Sequence, residues 1–184
     1  MKRIITGLFF VAVAVAFFSC KENSLEKQRQ NELKKLDEFI RAHYSKTPEL
    51  EEKPSGLYFL PEEEGIGDSI KMGDRVQVFH TTYTLDSGYV ASTGAYEPLD
   101  LIVLPPTQLS TSPSSVSELK ALHEALTYMK KGSKALLIFD SNLGFGQYGT
   151  YGAGGFTSLM MEVEVYKVYP TQSPEQEKEE ETTE

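Results

Sequence analysis

The 184-residue sequence predicts an α+β fold, a sheet covered by one short helix and preceded by a longer charged helix. Three observations predict it. Residues 23–44 are mostly polar and charged, with Leu33, Leu36, Ile40 and Tyr44 at a spacing that lines one face of a helix. From residue 56 onward the periodicity changes from helical to alternating, as strands require. The exception is Leu119, Leu122, Leu126 and Met129, which share one helical face and suit a helix that covers a sheet.

The elements follow in order. Lys2 and Arg3, an apolar run from Ile4 to Phe18, and Ser19 before the single cysteine, Cys20, read as a secretory signal over residues 1–19. At 1.5 Å per residue such a run falls short of a hydrocarbon core of about 30 Å. A signal that ends on cysteine resembles that of bacterial lipoproteins, in which the cysteine is acylated; an ordinary signal leaving a free thiol is the alternative. The expected location is the cell envelope, lipid-anchored through Cys20, on the periplasmic face of an outer membrane or on the cell surface. Residues 20–54 then form a tether, a helix started by Asn23 with Glu26 and a linker over 46–56 with two prolines. The helix docks its thin seam on the domain or on a partner, or pairs as a short coiled coil.

Gly56–Leu60 is the first expected strand. Arg75–Leu85 is the second, with Val76, Val78 and His80 on one face and Phe79, Thr81, Tyr83 and Leu85 on the other. Asp86-Ser87-Gly88 turns the chain, and Leu99–Leu104 is a strand ended by two prolines. Ser115 with Glu118 suggests a capping box for the covering helix, which Gly132 closes. Lys134–Phe139 and Leu159–Val168 are the last strands, and residues 169–184, with six glutamates and one lysine, are too charged to pack.

The composition excludes several functions. With 18 basic against 27 acidic residues the formal charge is −9, which would repel a phosphate backbone, so no nucleic acid is expected. One cysteine and three histidines are too few for a structural zinc site, and no metal or other cofactor is expected. The glycine and aromatic segment 144–156 precedes a strand and lacks a following Gly-Lys-Ser/Thr, which excludes a phosphate loop. It reads as an aromatic lid over a pocket or as a plain surface hairpin. His80 reads as a core or pocket-wall residue, and His123, beside Glu124, as a solvated side chain.

Five segments together resemble the FKBP-type peptidyl-prolyl cis-trans isomerases over residues 55–168. They are Ser55-Gly56-Leu57-Tyr58, Gly73–Val78, Glu124–Lys134, Leu143–Gly149 and Met161–Val165, in that order. The resemblance implies a curved antiparallel sheet wrapped around one short helix and a substrate pocket, whose pared-down side chains lead to the expectation of activity that is weak or narrow in specificity. Leu119 takes the place of the residue whose backbone N–H holds the substrate carbonyl, and Leu122 that of the tryptophan of the pocket floor. Phe145 replaces the lid tyrosine, and Leu101 and Met161 stand where pocket phenylalanines are usual. His80 or Thr81 falls at a further tyrosine, Ala91-Ser92 at a phenylalanine-aspartate pair, and Ala153–Phe156 at an isoleucine-proline-proline stretch. The implied activity is isomerisation of X-Pro bonds in proline-containing polypeptides; the alternative is a non-catalytic module that binds an envelope protein or peptide.

Overall fold

The computed structural model describes residues 24–171. The signal segment, Cys20 and the acidic tail beyond 171 lie outside the described residues. Residues 24–44 form helix α1. Seven strands follow, β1 (Glu51–Glu52), β2 (Tyr58–Glu63), β3 (Arg75–Thr84), β4 (Tyr89–Ser92), β5 (Leu99–Ile102), β6 (Lys134–Phe139) and β7 (Leu159–Tyr169). Helix α2 (Lys120–Leu126) lies between β5 and β6. All pairings are antiparallel, in the order β1-β2-β6-β7-β3-β4, and β5 pairs with the first half of β3.

Strand β3 is the hub, because the ten residues from Arg75 to Thr84 are long enough to hold β5 and β4 in succession along one edge and β7 along the other. Register shifts at Pro61/Glu63, Gln77/Val78 and Thr82/Tyr83 bend the sheet. The bend lets its inner face enclose α2. Val76, Val78, His80 and Thr82 of β3 point inward with Met161, Val163 and Val165 of β7, and the alternate residues point out, as expected from their spacing. From the helical segment, Leu119, Leu122, Leu126 and Met129 are buried in the same apolar cluster. Burial of each such side chain contributes about 1.5–3 kcal/mol.

Several expectations are corrected. The sheet begins inside the expected linker, since Glu51 and Glu52 pair with Phe59 and Tyr58. Strand β4 was not expected; its four residues are held by pairing with Thr81, Thr82 and Tyr83 more than by their own pattern. The capping box does not form. A 3-10 turn over Val116–Glu118 precedes α2, so Ser115 Oγ meets Ser117 Oγ at 2.8 Å and the Glu118 carboxylate accepts from the Ser114 N–H instead. Gly132, at φ +81°, serves the turn into β6, because α2 has already ended at Leu126.

The largest correction concerns α1. Leu33, expected in its seam, is 41% exposed, whereas Glu32 is 4% exposed. The buried face runs through Arg29, Glu32, Leu36, Phe39 and Ile40, so an ion-paired residue occupies the position where an apolar one was expected.

Candidate functional site

Leu101, Leu119, Leu122, Phe145 and Met161 come from β5, the junction of the 3-10 turn with α2, α2 itself, the glycine segment and β7, and all five lie in one buried cluster with Ala91 packed against it. His80 faces the same side from β3 and is buried. Thr81, one residue on, faces the outer side, and Ser92 is exposed at the end of β4, where its Oγ lies 3.1 Å from the Tyr89 hydroxyl. The side chains are thus brought together, except Thr81 and Ser92.

Their packing leaves them little access to solvent. The Leu119 N–H donates to the Val116 carbonyl at 3.1 Å, so the backbone donor expected to hold a substrate carbonyl is already engaged. Phe145 points inward and is buried. The segment that carries it is closed on itself: Gly146 N–H donates to Ser141 O, Gly149 N–H to Phe145 O, and Phe156 N–H to Gly146 O. A Cβ on Gly155 would stand 2.0 Å from the Gln147 carbonyl oxygen, so glycine is required for this fold-back. Of the two readings of the segment, a cover over the cluster and a plain hairpin, the buried Phe145, Ala153 and Leu143 fit the first; Tyr148 and Tyr151 are exposed on its outside.

Both buried histidines are held by polar partners. His80 Nδ1 lies 3.2 Å from Thr82 Oγ1, and burial pushes the pKa of His80 below its ordinary value. His123 was expected to be solvated and is 2% exposed. Its Nδ1 accepts from the Leu104 N–H at 3.0 Å, and its Nε2 donates to the Ser117 carbonyl at 2.8 Å. These partners select the neutral imidazole with the proton on Nε2. Burial pushes its pKa down, and the Ser117 carbonyl partly offsets the shift. His123 thereby ties both ends of the loop from Leu104 to Ser117 to α2, immediately before Leu119.

A second arrangement had no counterpart in the sequence reading. The Glu32 carboxylate of α1 accepts from the Ser141 N–H at 2.6 Å, Ser141 Oγ at 2.7 Å and Ser158 Oγ at 3.1 Å. Arg29 pairs with Glu32 at 2.6 Å and with Asp140 at 2.5 Å. Burial disfavours the Arg29 charge, but Asp140 and Glu32 outweigh it and raise its pKa above the ordinary arginine value. Asp140 in turn accepts from the Asn142 and Leu143 N–H groups. Helix α1 therefore holds both ends of the Phe145 segment through one buried carboxylate. Charged residues at helical spacing look solvated in sequence, and only the contact with residues more than a hundred positions away distinguishes these.

Cavities open at the surface of the described residues. One of about 750 Å³ lies on the outer face of the sheet over Phe79, Thr81, Glu162 and Glu164. Another of about 470 Å³ lies between the Phe145 segment and residues 110–113, and a third of about 480 Å³ between α1, the β3–β4 turn and residues 152–158. None of the three is lined by Leu101, Leu119, Leu122, Phe145 or Met161.

No family model matches the chain. Over 165 residues, 86% of its length, it is 32% identical to a Haemophilus influenzae protein named probable FKBP-type peptidyl-prolyl cis-trans isomerase, and it spans 60% of that relative. Its fold is similar to the crystal structure of FkpA from Escherichia coli, with a TM-score of 0.64 and 23% identity over 82% of this chain and 65% of that one. It is also similar to a peptidyl-prolyl cis-trans isomerase from Pseudomonas syringae pv. tomato, with a TM-score of 0.60 and 20% identity over 77% of this chain and 96% of that one.

Proposed function

The chain belongs to the FKBP-type peptidyl-prolyl cis-trans isomerase family, and from that premise we propose that it is an isomerase or folding helper of low or narrow activity toward X-Pro bonds. The observation that carries the reading is the convergence of Leu101, Leu119, Leu122, Phe145 and Met161 beneath the glycine segment. Rotation about the X-Pro bond crosses a barrier set by amide resonance, roughly 18–20 kcal/mol. The twisted amide has less charge separation than the planar one, so a dry apolar enclosure favours it over the ground state. This needs no acid, base or metal. Substrate has to part the cover that Phe145 provides and compete with Val116 O for the Leu119 N–H, and both demands lower the rate.

The engaged Leu119 N–H also favours the second reading, a non-catalytic module that holds a protein or peptide partner. In either case the proposal includes export and anchoring through an acylated Cys20; a Cys20→Ala protein found in the soluble fraction would support the anchor.

Exchange NMR on short X-Pro peptides tests the function. Catalysis predicts faster cis/trans exchange with the full-length protein, reduced by Phe145→Leu in a sample whose circular dichroism is unchanged. Exchange no faster than in buffer for every peptide supports the binding module.

A further inference from the structure

The outer face of the sheet carries a groove that the isomerase reading does not use. Phe79 and Thr81 of β3 alternate outward and lie beside Glu164 and Glu162 of β7. Tyr166 continues that row, its ring 5.5 Å from that of Phe79. Residues 93–98 rise over this face as a wall, with Tyr96 95% exposed and Pro98 beside it. The enclosed volume, about 750 Å³, lies in the range of ligand sites, roughly 300–1,000 Å³.

The charges of the groove are mostly negative. Glu62, Glu162 and Glu164 line it with one cation, Lys134, which lies opposite Glu164 across β6 and β7 and pairs with Glu63, 3.0 Å from its Nζ. Among the described residues neither Glu162 nor Glu164 is in an ion pair. Aromatic faces framed by carboxylates suit a cation with an apolar stem, which an arginine or lysine side chain presents. The Tyr166 ring already attracts Lys167 of its own chain, 5.0 Å from its centroid. Two other occupants fit poorly. The segment 172–184 bears six glutamates against one lysine, and a second copy carries the same −9 charge. Both would be repelled.

We propose that this outer groove is a docking site for an extended polypeptide segment that carries arginine or lysine beside apolar residues. The site faces away from the Leu119–Phe145 cluster, so a chain can be held there whether or not the cluster acts on its prolines.

The test is fluorescence anisotropy of full-length protein with a short labelled peptide of alternating arginine and leucine, and with its glutamate-for-arginine counterpart. The expected result is saturable binding of the arginine peptide only, weakened by added salt and weakened about tenfold in Glu162→Gln/Glu164→Gln. Both substitutions keep the size of the side chain at accessible positions, so the fold should survive, and circular dichroism checks it. A second variant, Tyr96→Ala, alters the wall alone and should also weaken binding. Absence of saturable binding, equal binding of the two peptides, or affinity unchanged in both variants would overturn the proposal.

Discussion

Glu32→Ala is the substitution that asks most of the structure. The carboxylate accepts from Arg29, from the N–H and Oγ of Ser141, and from Ser158 Oγ, at 2.6 to 3.1 Å and almost out of contact with water. Removing it leaves the Ser141 N–H and the Ser158 hydroxyl facing a cavity and strips Arg29 of one of its two carboxylates. An unsatisfied buried donor costs about 1–3 kcal/mol, and removing one partner of a buried pair costs about 3–5 kcal/mol. These overlap, so the expected loss is about 3–5 kcal/mol in total, unless α1 undocks first and limits the loss to its own docking energy. For a chain of this size 1 kcal/mol moves Tm by about 2–4 °C, so a drop of about 6–20 °C is expected. Hydrogen exchange separates the two routes: in both, amides of residues 144–157 lose protection, and in the second those of 24–44 lose it too. Thermal melting of Glu32→Ala and of Glu32→Gln, which retains an acceptor oxygen and should lose less, checks the magnitude. A Tm within a degree or so of the parent, with residues 144–157 still protected, would refute the reasoning that one carboxylate holds that segment.

Two further outcomes are expected. Gly155→Ala forces its Cβ to within 2.0 Å of the Gln147 carbonyl and should cost about 1–3 kcal/mol by urea denaturation, whereas Gly154→Ala, whose nearest neighbour is 3.8 Å away, should stay within about 0.5 kcal/mol. His80 and His123 both have folded pKa values below the ordinary histidine value, so the unfolded chain binds the extra protons and their contribution to stability is complete above about pH 6.5. That contribution is lost as pH falls from there toward the folded values. Tm should therefore decline between pH 7.5 and 5.5, and by less in His123→Asn, whose amide cannot take up the proton; an equal decline in the variant would count against His123 as a source.

The strands that alternate were legible in the sequence, and so was the helix whose leucines share a face. The inward side of β3 and the burial of Leu119, Leu122, Leu126 and Met129 follow from period alone. What escaped depended on partners distant in sequence. His123 lies four residues after Leu119 and three before Leu126, which places it on the buried face; its polarity concealed that, and only the Leu104 N–H and Ser117 carbonyl make the position affordable for an imidazole. Glu32 displaced Leu33 from the seam of α1 for the same reason, since Ser141 and Ser158 were needed to satisfy it. Strand β4 has no strong pattern and exists because β3 pairs with it. Of the candidate site, the apolar positions could be aligned by resemblance, but neither the closed packing around them nor the engaged Leu119 N–H is encoded in residue type.

The position of β7 also constrains when the protein can become itself during synthesis. This strand, the last of the described elements, lies between β6 and β3, so the sheets β1-β2-β6 and β3-β4-β5 have no shared edge until residues 159–169 arrive. Helix α1, the first of the described elements to be made, waits as long, because Ser158 is 126 residues downstream of Glu32. A chain emerging from the ribosome at about 5–20 residues per second must therefore carry two open sheet edges and an undocked helix until residues 159–169 have been made, and then close all three in one highly non-local event. In such a molecule the apolar face that finally encloses α2 stays open to solvent throughout that interval.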